Sequence, residues 1–454
     1  MEADLAHGTR PVESMTAGSP VRHLALFALP LMAGELFQLS YNFADALIVG
    51  RILGLEALAA VGCTLSLVHF VFGFIIGLTS GFSIFISQRF GAGDEEGVRR
   101  SFAAGIVLSL ACAAVLTLGG LFLCTPVLRL MNTPDEILAG AGLYLSIIFC
   151  SISLMAAYNI QAGVLYALGD SRSPLFFLMI CSALNIILDL LFILGFGWGI
   201  GGAAGATLFS QFIAAFLCAF YIKKRFARFL PTREHWRLKG ADIRSHLSLG
   251  VSMGLQRCIV EAGNILVQTA MNGLGATALA AVAVAQRIRG LNMMPLFCIS
   301  RALTTYTAQN YGAGKVRRIY QGTRCACLIS TGIGTFMALI NSIFGRQLAG
   351  LFLGDEDAAV TMASLFLRYI GASVFILGIM LNFRTTMQGL GKSLSPTLCS
   401  MLETLMSLAA AFVLIPRWGF TGVCLANPLS WLASGIPLYL AFAVFAAEQR
   451  GKEP

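Results

Sequence analysis

Residues 22–49 read RHLALFALPLMAGELFQLSYNFADALIV, and past Arg22 and His23 the only charged side chains in this apolar run are Glu35 and Asp45. The run lacks the alternation of apolar and polar residues that marks a membrane β-strand. It exceeds the ~20 apolar residues that a helix needs to cross a bilayer, so the spacing predicts a transmembrane helix. Glu35, Gln38, Asn42 and Asp45 are spaced i, i+3, i+7 and i+10. At 100° per residue all four fall within an arc of about 80°, so one face of this helix is polar.

The same pattern recurs along the 454 residues. Further apolar segments lie near 57–87, 101–123, 137–168, 174–195, 202–222, 246–271, 278–308, 320–345, 361–388, 394–415 and 422–447. The expected fold class is therefore an all-α integral membrane protein with twelve transmembrane helices. Composition agrees: 57% of residues are hydrophobic and 12% charged, and the mean hydropathy is +0.79. A soluble enzyme, a nucleic-acid-binding domain and a disordered chain are excluded, because too few water-facing groups remain to cover the apolar surface.

The loop charges orient the helices. With the N-terminus cytoplasmic, twenty Lys and Arg lie inside, from Arg10 and Arg22 to Arg450 and Lys452, while only Arg51, Arg129, Arg346 and Arg417 lie outside. This asymmetry follows the positive-inside rule and places both termini in the cytoplasm of a cell (plasma or inner) membrane. The net charge of +9 thus reads as topology, and no nucleic-acid partner is expected. The first apolar segment is too long for a signal-peptide core and lacks an early small-residue cleavage site, so it is expected to be retained. The twelve Cys are scattered without a CxxC pair, which suits small packing residues and neither a metal site nor a disulfide framework.

The second half of the chain repeats the first at an offset of about 221 residues. Leu58-Ala59-Ala60-Val61 falls on Leu279-Ala280-Ala281-Val282, and Gln88, Gly91, Ala92 and Gly93 fall on Gln309, Gly312, Ala313 and Gly314. Gly169, Ser171, Ser173 and Pro174 fall on Gly391, Ser393, Ser395 and Pro396, and Trp198, Gly199 and Gly202 on Trp418, Gly419 and Gly422. Six helices per repeat is an even number, so both copies enter from the same side and form two parallel six-helix lobes related by a pseudo-two-fold axis along the membrane normal. Parallel repeats of this kind place a transporter's substrate cleft between the halves. The division is a tail at 1–21, polar and expected to be disordered, an N-lobe at 22–222, a basic linker at 223–245, a C-lobe at 246–447 and a tail at 448–454. The linker fits either an amphipathic stretch on the cytoplasmic surface or a plain topogenic loop. Both Gly-Ala-Gly segments follow membrane helices, not strands, and read as helix C-caps and tight turns.

Five acids lie within spans: Glu35, Asp45, Asp189, Glu261 and Glu403. Buried ionisable groups face a cavity, an ion path or a partner charge. Asn185 and Asp189 are i,i+4 neighbours, as are Ala203 and Thr207 on the next helix. Asp45 and Asp189 each precede an outer loop by five or six residues, and Thr207 follows one by about five, so at ~1.5 Å per residue all three share one depth. Their oxygens can hold a hard cation such as Na⁺ or share a proton. The repeat does not copy this constellation. In the seventh span Arg257, Glu261, Asn264 and Gln268 form a second polar face, suited to an internal ion pair or to substrate contact. Glu403 and His69 read as isolated packing residues, and Arg287, Arg289, Arg301 and Arg384 as side chains near helix ends that snorkel.

Pro30, Gln38, Asp45 and Gly50, the run Ala57 to Gly62, the two Gly-Ala-Gly segments and the Asn185-x-x-x-Asp189 pair resemble the multidrug and toxic compound extrusion (MATE) family of cation-coupled antiporters, over residues 22 to 447. The resemblance implies an N-lobe cation or proton site at Asp45, Asn185, Asp189, Ala203 and Thr207, with possible Na⁺ on Asp45, Asn185, Asp189 and Thr207, and a helix-1 bend at Pro30. Glu35, Gln38, Asn42, Glu261, Asn264 and Gln268 are the candidates for the substrate cleft or a secondary coupling site. Val251 stands where the repeat would place a second proline. The expected function is export of amphipathic or cationic compounds by a monomer in the lipid bilayer, in exchange for H⁺ or Na⁺ and without a cofactor. A lipid-linked oligosaccharide flippase of the same broader superfamily is the alternative, disfavoured by the acidic N-lobe. An intramembrane enzyme lacks its nucleophile and base, since His69 has no evident partner.

Overall fold

The computed structural model describes residues 14–354 and 356–450, and these are all-helical. The helices are α1 (Pro20–Ile48), α2 (Gly54–Gly91), α3 (Glu95–Leu130), α4 (Asp135–Ala167), α5 (Arg172–Leu190), α6 (Gly199–Arg225), α7 (Gly240–Met271) and α8 (Ala276–Gly312). They continue with α9 (Val316–Leu353), α10 (Asp357–Gly389), α11 (Leu394–Ala409), the single turn α12 (Ile415–Trp418) and α13 (Phe420–Arg450). Three π-helical segments extend α1, α5 and α11 at Val49–Leu53, Leu191–Gly195 and Ala410–Leu414. Among the described residues, nine segments are long and apolar enough to cross a membrane, with α1 and α2 counted in one of them. Helices α7 and α8 are not among these segments; both carry ionisable side chains along their length, Arg257 and Glu261 on α7 and Arg287, Arg289 and Arg301 on α8.

The chain forms two compact units. One comprises Leu29–Gly254, and the other Met15–Ala28 with Leu255 onward. In the first unit α4 packs against α2, α3 and α6; in the second α10 packs against α8, α9 and α13. The central helix of the second unit is accordingly the most enclosed, with 61% of its apolar window buried against 17% for α9. Small residues let these helices approach, as is usual where lipid supplies no hydrophobic drive. A Cβ on Gly334 of α9 would lie 2.9 Å from the Phe375 backbone of α10, whereas one on Gly332 would meet nothing. Gly334→Ala should therefore overpack the contact and destabilise the protein by about 1–3 kcal/mol. Gly332→Ala should be neutral or stabilising, and unfolding midpoints of the two variants in detergent measure the difference.

Both Gly-Ala-Gly segments are C-caps. Gly93 and Gly314 have φ of +73° and +69°. Asp94 and Lys315 donate their backbone N–H groups to Arg89 and Asn310, and Gly93 and Gly314 donate to Phe90 and Tyr311. This is the Schellman pattern, which needs a left-handed residue at that position. The linker makes no continuous amphipathic helix. It forms two 3₁₀ turns, Ala227–Phe229 and Arg233–Trp236, held to the start of α3 by Arg99 Nε donating to the Arg228 carbonyl at 2.6 Å and by His235 at 2.9 Å from Glu96.

Three expectations need correcting. The segment before α1 is not disordered from Met15 onward. The Met15 side chain is buried, and Asn310, Lys315 and Arg318 donate to the carbonyls of Met15, Thr16 and Gly18, because a turn offers backbone acceptors that cations can hold. Residues 1–13 and 451–454, with Arg10 and Lys452, lie outside the described residues. Glu403 is not isolated, since Arg384 pairs with it and also donates to Ser434 Oγ at 3.2 Å. Arg287, Arg289 and Arg301 do not lie near a helix end, since α8 runs from Ala276 to Gly312 and each stands at least eleven residues from either terminus.

Candidate functional site

The first unit brings α1, α4, α5 and α6 together around two carboxyl groups. Asp189 is fully buried and Asn185 nearly so, one turn apart on α5 just before its π-helical segment. Asp45 sits likewise one turn before the π segment that ends α1. Such turns carry an extra residue and are frequent at functional sites. Asn185 Nδ2 donates to Thr207 Oγ1 at 3.5 Å, and Thr207 donates to the Ala203 carbonyl at 3.3 Å. The Asp45 and Asp189 carboxyl groups adjoin each other.

Their oxygens are short of donors. Asp45 Oδ1, both oxygens of Asp189 and Asn185 Oδ1 are buried with no hydrogen-bond partner among the described residues. Carboxylate and amide oxygens are all acceptors, so these four call for a donor or a positive charge: a proton shared between them, a cation or a water molecule. Unpaired, each buried acceptor costs about 1–3 kcal/mol. The set contains two acids and no thiolate or imidazole, which suits a hard cation bound through oxygen and not a transition metal. No cluster of three or more His, Cys, Asp or Glu able to hold a metal occurs among the described residues.

Two residues that the sequence reading passed over belong here. Tyr41 lies beside Thr207, and Tyr144 of α4 lies close enough to Asp45 and Asp189 to interact with both. Tyr41 stands four residues before Asp45, on the same face of α1, a signal the polar pattern already held. Tyr144 has no such signal, because its helix is distant in sequence.

The remaining candidates are not gathered at this site. Gln38 and Asn42 are exposed on α1 and Glu35 is half-buried. Pro30 lies inside α1, one residue past the boundary at which the first unit begins, and its missing N–H leaves the Leu26 carbonyl without its helical donor. In the second unit Glu261 accepts from Asn264 Nδ2 at 3.3 Å, and Gln268 lines a separate cavity.

Comparison with known proteins adds independent findings. The family model MatE matches the chain twice, over residues 30–191 and 253–413, which repeats the internal duplication. A probable multidrug resistance protein of Bacillus subtilis, YpnP, is 30% identical over 94% of this chain and 96% of its own length. A second from the same organism, YoeA, is 28% identical over 92% of each. Among solved structures, the outward-facing conformation of a multidrug resistance MATE family transporter of the MOP superfamily superposes with a TM-score of 0.89 at 23% identity, covering 97% of this chain and 99% of that one.

Proposed function

The chain belongs to the MatE family of multidrug efflux transporters, and from that premise we propose that it is a secondary active antiporter exporting amphipathic, often cationic compounds in exchange for H⁺ or Na⁺. We take it to have twelve transmembrane helices in two parallel six-helix lobes, with both termini cytoplasmic in the cell membrane, a reading that the loop charges and the duplicated family match support. We take the protein to act as a monomer in the bilayer, with the coupling ion in place of any cofactor and with no catalytic step or nucleic-acid partner.

The observation that carries this reading is the donor-free set of oxygens at Asp45, Asn185 and Asp189. Two adjoining carboxylates without a proton or cation repel one another, and in an environment this dry the repulsion is large. With the ion bound the pair is satisfied and its helices can close; with the ion lost they are driven apart. An ion that binds two access states with different affinity shifts the balance between them, which is how a gradient does work. Thr207 and the Ala203 carbonyl supply further oxygen, and Tyr41 a hydroxyl able to relay a proton or complete a coordination shell.

Counterflow in proteoliposomes, with Na⁺ and pH gradients imposed separately, tests the proposal. Ethidium accumulation should follow one gradient and vanish when that gradient is collapsed by its ionophore. Accumulation driven by Na⁺ at equal pH would assign Na⁺ to the site, and accumulation driven by pH alone would assign H⁺. Equilibration indifferent to both gradients would end the antiport reading.

A further inference from the structure

The second unit contains a cavity of about 580 Å³ lined by Gln268 and Asn272 at the end of α7 and by Leu279, Ala283, Gln286 and Arg287 of α8. The volume suits a drug-sized ligand. Its lining is selective in charge. Arg287 is the sole ionisable group, and no acid lines the space. Among the described residues Arg287, Gln268, Asn272 and Gln286 make no hydrogen bond or ion pair with any other group, so four polar side chains converge on the cavity with their donors unused.

The cavity is open, with Gln268, Asn272 and Arg287 exposed, and the position of Arg287 along its helix is what sets it apart. It lies about 16 Å along α8 from the helix start, at 1.5 Å per residue, well inside the span expected at 278–308. An arginine at such depth is expensive and normally pairs with an acid or lines a functional cavity. Arg384 in the same unit follows the first pattern through Glu403. Arg287 follows the second.

We propose that this cavity is the subsite for a carboxylate carried by the transported compound, so that the second half of the chain selects zwitterionic amphiphiles over bare cations. This rests on the transporter reading above and names part of the substrate class. A guanidinium offers paired N–H donors in the geometry a carboxylate accepts, and the three amides can complete its hydrogen bonds. One positive charge among neutral amides balances one negative charge, whereas a phosphate dianion would keep a charge uncompensated. Leu279 and Ala283 give the apolar body a wall. The cationic end has a matching partner: Glu261 stands seven residues before Gln268 on the same face of α7, about 10 Å away along the helix. Its carboxylate accepts from the Asn264 amide, and can face an ammonium.

Equilibrium binding to the purified protein in detergent, read from ligand fluorescence, tests this without a gradient. The probes are a fluoroquinolone with a free carboxylate, its methyl ester, and ethidium. The free acid should bind at least about tenfold more tightly than the ester, as expected for hydrogen bonds to a charged group. Arg287→Ala should erase that difference by weakening the acid alone, and Arg287→Lys should restore part of it. Unchanged Kd values for the ester and ethidium show that the variant is folded; should Arg287→Ala fail to fold, Gln286→Leu with Gln268→Leu should narrow the same ratio. An acid that binds no more tightly than its ester, or variants that weaken all three probes alike, would overturn the assignment. Failure of the antiport reading shows separately, as wild-type protein that keeps the acid preference yet transports nothing with either gradient.

Discussion

Replacing Asp45 with asparagine should abolish ion-coupled export, lowering gradient-driven transport by at least about 100-fold, because a coupling ion that no longer distinguishes two access states can shift nothing between them. The substitution keeps the size of the side chain and removes its charge. Its new amide can donate to Asp189, whose oxygens otherwise lack a donor, so the variant resembles the ion-loaded pair locked in place. Stability should therefore hold or rise by about 1 kcal/mol, the net worth of one hydrogen bond. Loss of transport with an unchanged or higher unfolding midpoint separates this outcome from simple damage. Asp189→Asn should behave alike, and the double variant should be no worse than either, since members of one functional unit are not additive. Transport by Asp45→Asn that stays within a few-fold of wild type and still follows the gradient would remove Asp45 from the coupling site.

The same pair shows what a sequence can and cannot reveal. Asp45 and the Asn185–Asp189 pair were legible because periodicity fixes which residues share a helical face, and counting from the adjacent loops fixes their depth. The Gly93 and Gly314 caps were legible because a left-handed turn is a local demand that glycine meets. Contacts between helices obey no such local rule. Whether Tyr144 meets Asp45, or Arg384 meets Glu403, depends on how each helix is rotated about its axis, and packing against several neighbours decides that rotation. Helices α7 and α8 fall short of apolar spans, and they are the two that present Gln268, Gln286 and Arg287 to a cavity.

The largest stability effect should come from Glu403. Its side chain and that of Arg384 are each only 13% exposed, and the pair joins α11 to α10, with Ser434 bringing in α13. Glu403→Ala would strand the guanidinium against Ser434 and the Met380 sulfur, with an Nε that already lacks a partner. Removing one member of a buried pair typically costs about 3–5 kcal/mol, more than the pair itself contributes, because the surviving charge keeps its desolvation penalty. The double variant Arg384→Met with Glu403→Leu should recover most of that loss, since a well-packed apolar replacement is close to neutral. Unfolding midpoints in detergent for the two singles and the double give the interaction energy through the cycle. The contrast with Asp45 follows from the partners. An acid that already holds an arginine has no need of a cation, so Glu403→Gln, which keeps a hydrogen bond to Arg384, should retain gradient-driven transport in whatever fraction of the protein stays folded. Transport lost at full stability in Glu403→Gln would instead make this pair a second coupling element.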